Sequence, residues 1–133
     1  MPHAQGHKRE RDLQQAVCDE LTLRGIDHYG IPNGQMRKGQ RPEVGLYPGV
    51  PDLHIPVSHD TEGTLYIELK RIKPESGEKT YTRPEQQVWL DRLVALGHTC
   101  CVCRSAEMVA RVVDHHLNEA GGVPDELRWP NKR

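Results

Sequence analysis

Asp52, Glu68 and Lys70 are the residues whose types and spacing suit chemistry. Asp52 follows Pro51 at the head of a short run, Leu53-His54-Ile55-Pro56. Glu68 lies sixteen positions on, within Thr64-Leu65-Tyr66-Ile67-Glu68-Leu69-Lys70-Arg71. The second run alternates: Leu65, Ile67 and Leu69 point one way and Tyr66, Glu68 and Lys70 the other, the period-two pattern of a strand. If the two runs are neighbouring strands, Asp52 and Glu68 can share a divalent cation with Lys70 beside it. Two carboxylates and an ammonium in that arrangement can position and deprotonate a water and offset charge building on a phosphate. The plain alternative is a Glu68–Lys70 ion pair on a strand face, with Asp52 closing a strand end.

Other clusters are weaker. Cys100-Cys101-x-Cys103 lies on an apolar run where Cys101 and Cys103 face one way and Cys100 the other. No second Cys/His pair has zinc-finger spacing, so these read as small buried thiols. Asp114-His115-His116 reads as a solvated helix end. His54 points to the same side as Asp52 and is a candidate contact for substrate or metal. Pro124-Asp125 repeats the dipeptide with no strand behind it and reads as a turn. No Walker loop, dinucleotide fingerprint or Ser-His-Asp elbow occurs.

The elements that must position the acidic pair follow from periodicity. Lys8 to about Arg24 is expected to be a helix with Leu13, Val17 and Leu21 in one stripe and Gly25 at its exit. At about 100° per residue Glu10 falls inside that apolar stripe and Gln14 borders it. The benign explanation is that Glu10 lies in the first turn, where it favours the helix dipole. Ile26–Ile31 is an expected strand, followed by Gln35-Met36-Arg37-Lys38-Gly39-Gln40-Arg41, a loop with three bases and no acid. That loop is solvated surface, or a phosphate-contacting arm if the chain handles DNA. Gly49 keeps the backbone slim where a phosphate would approach. Thr82-Arg83-Pro84-Glu85 has capping-box spacing and opens a helix to about Leu96, with Trp89, Leu90, Leu93 and Leu96 inward. Gln86 is a polar group within that stripe. His98–Arg104 is a last strand, and Ser105 caps a helix burying Val109, Val112, Val113 and Leu117. Residues 1–7 and 121–133 are expected to be flexible or extended tails around one domain, 8–120.

The chain has 133 residues, enough for one core, with 28% charged residues and a net charge of −1. That balance points to a globular domain rather than a sequence-independent DNA coat. Phe is absent, so the core rests on Leu, Val and Ile. No long apolar run or polar-then-apolar leader is present. The expectation is therefore no membrane, reduced thiols and a cytoplasmic setting.

Pro51-Asp52 with Glu68-x-Lys70 matches the PD-(D/E)xK nuclease signature. Around it Glu10-x-x-x-Gln14, Ile31-Pro32-Asn33-Gly34, Pro48-Gly49-Val50-Pro51-Asp52-Leu53, Tyr66-Ile67-Glu68-Leu69-Lys70-Arg71 and Pro84-Glu85-Gln86-x-x-Trp89-Leu90-x-x-Leu93 fall in one order. Together they resemble the stand-alone phage and bacterial type of the VRR-NUC family, the virus-type replication-repair nucleases. The resemblance covers residues 8 to 117. It implies an α/β, restriction-endonuclease-like core of order αβββαβα, with a central mixed four-stranded sheet flanked by helices.

It also implies an endonuclease for branched DNA such as Holliday junctions, located in a bacterial or phage-infected cell, homodimeric, and without an organic cofactor. Asp52, Glu68 and the Leu69 carbonyl would ligate Mg²⁺ or Mn²⁺, with Glu10 as a further ligand. Lys70 would act on the water, and Gln86 would stand at the active-site edge. Asn33, Arg37, Lys38, Arg41 and Arg71 would touch DNA. The competing readings are an inactive nucleic-acid-binding module of the same fold, and a metal-storing or redox protein built on the Cys and His residues.

Overall fold

The computed structural model describes residues 6–32, 44–45, 47–59 and 63–131. Its elements are α1 (Glu10–Leu23), β1 (Tyr29–Gly30), β2 (Leu53–Ile55), β3 (Leu65–Leu69), α2 (Pro84–Ala95), β4 (Thr99–Cys103) and α3 (Ala106–Asn118), then a 3-10 turn, Asp125–Leu127. The sheet runs β1-β2-β3-β4; the first two pairings are antiparallel and β3 lies parallel to β4. Parallel neighbours need a crossover, and α2 supplies it.

Alternation on β3 divides the core. Leu65, Ile67 and Leu69 join Leu53 and Ile55 under α1 and α3, where Leu13, Val17 and Leu21 are all fully buried. On the opposite face Leu90 and Leu93 of α2 cover Cys100 and Val102, with Tyr66 at the margin. β4 is buried on both faces, so its cysteines are core thiols, and burial pushes the Cys100 thiol up to about 12.

Several local details differ from the sequence expectation. β1 is two residues rather than six because the Ile26 amide closes onto the Leu21 carbonyl at 2.9 Å, which commits residues after Gly25 to the helix exit. The capping box of α2 sits one residue later than expected: Arg83 is the cap, Pro84 is N1, and Gln86 rather than Glu85 is N3. Leu96, expected inside, is the C-cap and 75% exposed. On α3, His116 takes the inward position expected of Leu117, completing the 109-112-113-116 spacing. Its Nε2 lies 2.6 Å from the Val57 carbonyl; a carbonyl only accepts, so Nε2 carries the hydrogen.

The C-terminal segment is the largest departure. Expected as a loose or extended tail, it folds back so that Val123, Leu127 and Trp129 are buried. Trp129 joins the α2-side core, its indole N–H donating to Asp91 Oδ1 at 2.7 Å. Among the described residues no helix is long and apolar enough to cross a membrane.

Candidate active site

The register of β2 and β3 brings the acidic pair together. Leu53 pairs with Ile67 and His54 with Tyr66. One further step sets Asp52 opposite Glu68, both on the α2 face. Another step sets Pro51 opposite Leu69. In this ladder Lys70 bonds toward β4, its amide donating to the Cys103 carbonyl, so the Leu69 amide and carbonyl face β2. Pro51 has no N–H to give the Leu69 carbonyl, so the ladder cannot continue there. The Leu69 amide instead donates to Asp52 Oδ2 at 2.7 Å. The proline thus ends the sheet where an aspartate and a main-chain carbonyl converge.

Glu68 is 1% exposed. Its Oε1 accepts from Gln86 Nε2 at 3.1 Å, while its Oε2 is buried with no hydrogen-bond partner. Gln86 is oriented by its own helix, since its Oε1 accepts from the Arg83 amide at 2.8 Å. The side chain therefore closes the cap of α2 and reaches across to the pair. Burial, then the charge of Asp52 and a hydrogen bond with it, push the Glu68 carboxyl up to about 10, with Lys70 pulling the other way. Asp52 is also raised, by burial, against the Leu69 amide and the charge of Lys70. Without a cation, the two acids are better held with a proton between them than as two anions.

Lys70 is buried, and its Nζ lies 3.8 Å from Glu10 Oε1. Glu10 is the first residue of α1 and its side chain is half exposed. The apolar stripe thus begins at Leu13, and the conflict posed by an acid inside it is relieved by the helix start. Among the described residues no three His, Cys, Asp or Glu side chains gather closely enough to hold a metal ion. Glu10 therefore faces the ammonium instead of completing a three-carboxylate cage with Asp52 and Glu68. What these residues offer a cation is two carboxylates, one with an unpartnered oxygen, and a carbonyl. That all-oxygen set fits Mg²⁺ or Mn²⁺.

An open pocket of about 200 Å³ is lined by Glu10, Gly49, Val50, Asp52, Lys70, Tyr81, Arg83 and Gln86. Gly49 serves this site differently than expected. Its φ is +93°, and a Cβ there would lie 2.6 Å from the Glu85 backbone. What approaches Gly49 is the first turn of α2, so the missing side chain lets the Pro-Asp loop seat against the helix that carries Gln86.

His54 shares the face of Asp52 but is engaged elsewhere. Its Nδ1 meets the Tyr29 hydroxyl, its Nε2 lies 2.7 Å from Thr64 Oγ1, and its ring stacks on Tyr66 at 4.4 Å. The Arg71 guanidinium donates to the His7 carbonyl at 3.4 Å and ties down the N-terminal segment rather than lining the pocket. Asn33, Arg37, Lys38 and Arg41 lie outside the described residues. Tyr81 and Arg83 were not singled out from sequence as site residues; the available signal was their place immediately before the helix start that carries Gln86.

A solved structure of a VRR_NUC domain protein matches this chain with a TM-score of 0.54 and 19% identity, over 80% of this chain and 85% of that one. No protein-family model matches the sequence, and no curated protein matches it. The mixed four-stranded sheet with three helices is thus the fold of that VRR_NUC domain protein.

Proposed function

We propose that this chain, carrying the VRR-NUC fold, is a divalent-cation-dependent endonuclease that hydrolyses phosphodiester bonds in DNA. The observation that carries the reading is Glu68 Oε2, a buried oxygen with no donor to it, on a carboxyl set against Asp52, which lines the pocket together with a buried lysine. Two buried carboxyls set against each other cost stability unless a proton or a cation lies between them. A protein that only bound DNA would gain nothing from this arrangement, which disfavours the inactive module.

Asp52, Glu68 and the Leu69 carbonyl would hold the cation. A Mg²⁺ or Mn²⁺ bound there would supply positive charge for the attacked phosphate and lower the pKa of a bound water. Lys70 orients the attacking water and faces charge growing on the phosphate oxygens. Gln86 fixes the rotamer of Glu68, and Glu10 holds the Lys70 ammonium at the pocket mouth.

Branched DNA such as a Holliday junction is the proposed substrate, cut by a homodimer whose two sites are related by a two-fold axis; the cytoplasm is the proposed setting. Asn33, Arg37, Lys38, Arg41 and Arg71 are proposed DNA contacts. Replacing Arg37, Lys38 and Arg41 with Ala should flatten the log–log salt dependence of binding by about 0.9 per lost phosphate contact, and an unchanged slope removes them. A monomeric mass by light scattering, with both strands of a junction still cut, removes the dimer.

The deciding experiment incubates supercoiled plasmid and a four-way junction with the protein in Mg²⁺, Mn²⁺, Ca²⁺ or EDTA, beside Asp52→Asn, Glu68→Gln and Lys70→Met. Cutting in Mg²⁺ or Mn²⁺ alone, lost in all three variants, is the expected result. Cutting undiminished in EDTA, or by the variants, would sink the mechanism. Cutting of plasmid but not of the junction would sink only the substrate preference.

A further inference from the structure

Tyr81 stands at the rim of the pocket that holds Asp52, Lys70 and Gln86, and it is 63% exposed. A large aromatic ring left in water beside a polar pocket gains nothing for folding, yet this one is held firmly. The guanidinium of Arg104, a buried residue, lies 5.2 Å from its ring centroid. The same guanidinium donates to the carbonyl of Thr80, and Thr80 in turn donates through its amide and hydroxyl to the Arg71 carbonyl at 3.0 and 3.1 Å. One face of the ring is therefore backed by a buried cation, and the backbone before it is pinned. Two residues on, Arg83 lines the same pocket.

A nucleotide presents a phosphate and a flat π-face a short sugar linkage apart. With the phosphate at the acidic pair, the base beside it can reach the pocket rim. Base faces inside an intact duplex are covered by their neighbours, so a fixed ring at this place can be used only by a base that is unpaired and unstacked.

We propose that Tyr81 is a stacking platform for an unpaired nucleobase next to the scissile phosphate, so that the substrate class is DNA with a splayed or single-stranded nucleotide at the cut. This rests on the nuclease reading above and narrows it. Arg104 acts through Tyr81 as a positioning residue.

The test is a cycle between protein and DNA. A forked DNA carries one abasic residue moved stepwise through its branch point, and binding is measured by fluorescence anisotropy in Ca²⁺ for wild type, Tyr81→Ala, Tyr81→Leu and Tyr81→Phe. One abasic position should weaken wild-type binding about tenfold, and Tyr81→Ala or Tyr81→Leu should weaken binding of the intact fork by a similar factor. Combining the abasic position with either variant should cost nothing further, and Tyr81→Phe should bind as wild type does.

Losses that multiply, or no loss for Tyr81→Ala and Tyr81→Leu with melting temperatures intact, would overturn the platform. Wild type that cuts DNA in Mn²⁺ yet shows no such coupling removes the platform alone. Wild type that neither binds nor cuts any DNA removes the nuclease reading and the platform with it.

Discussion

Gln86 donates to Glu68 Oε1 at 3.1 Å while its own carbonyl oxygen receives the Arg83 amide at 2.8 Å. The amide orientation is fixed by the Arg83 N–H, which can only donate, so the Gln86 oxygen faces it and the Gln86 NH₂ is left for Glu68. One side chain therefore completes the start of α2 and sets the rotamer of a buried acid on β3, joining helix position to site geometry.

Gln86→Leu should show both roles at once. Loss of the cap bond and of the Glu68 contact should lower stability by about 1–2 kcal/mol and cutting in Mn²⁺ by about tenfold or more. Thermal melts and single-turnover rates check the two effects separately. Wild-type cutting by a destabilised variant would leave Gln86 as a cap only.

The raised Glu68 carboxyl sets a pH dependence for the chelated protein. Its folded value of about 10 lies above the ordinary 4.5, so between those limits the folded state keeps a proton that the unfolded chain has released. Stability should therefore fall as pH rises through that window, with the raised Asp52 acting in the same sense. Melting temperatures in EDTA should decline from pH 6 to pH 9, Glu68→Gln should flatten the decline, and Mg²⁺ should raise the wild-type value most at the alkaline end. A flat wild-type profile would mean the pair is better solvated than its burial implies.

Gly49→Ala meets two obstacles, a left-handed φ of +93° and backbone at 2.6 Å. The expected loss is about 1–3 kcal/mol or more, with the Pro-Asp loop displaced from α2. Denaturant melts read the stability, and near-normal stability would show that the loop and helix can separate cheaply.

Glu10→Gln isolates the acid beside Lys70. If Glu10 holds the ammonium in place, cutting should fall about tenfold while the melting temperature stays near wild type. The apparent Mn²⁺ affinity should weaken as well. Turnover unchanged at limiting Mn²⁺ would return Glu10 to a charge at a helix start.

The parts legible in sequence were those governed by local period. Leu13, Val17 and Leu21 repeat every four residues, and all three are buried. The alternation from Leu65 to Lys70 put Glu68 and Lys70 on one face, and with β2 alongside it put Asp52 there too. Contacts without a period were not legible. Nothing near Gly49 announces the α2 backbone it touches, and Val123, Leu127 and Trp129 sit singly among prolines and charges. The polar residue in the α2 stripe was visible as an anomaly; the cap bond that explains it depended on where the helix began, one residue off the Thr82 reading.

The Trp129 amide donates to the Cys100 carbonyl at 2.7 Å. In β4 the Cys103 carbonyl faces β3, so the Cys100 carbonyl, three residues earlier, faces outward from the sheet. The returning C-terminal segment thus occupies a hydrogen-bonding position that a foreign strand would need. At the other margin β1 offers only two residues. Among the described residues neither border of the sheet presents a long open strand, which discourages accidental strand-to-strand polymerisation.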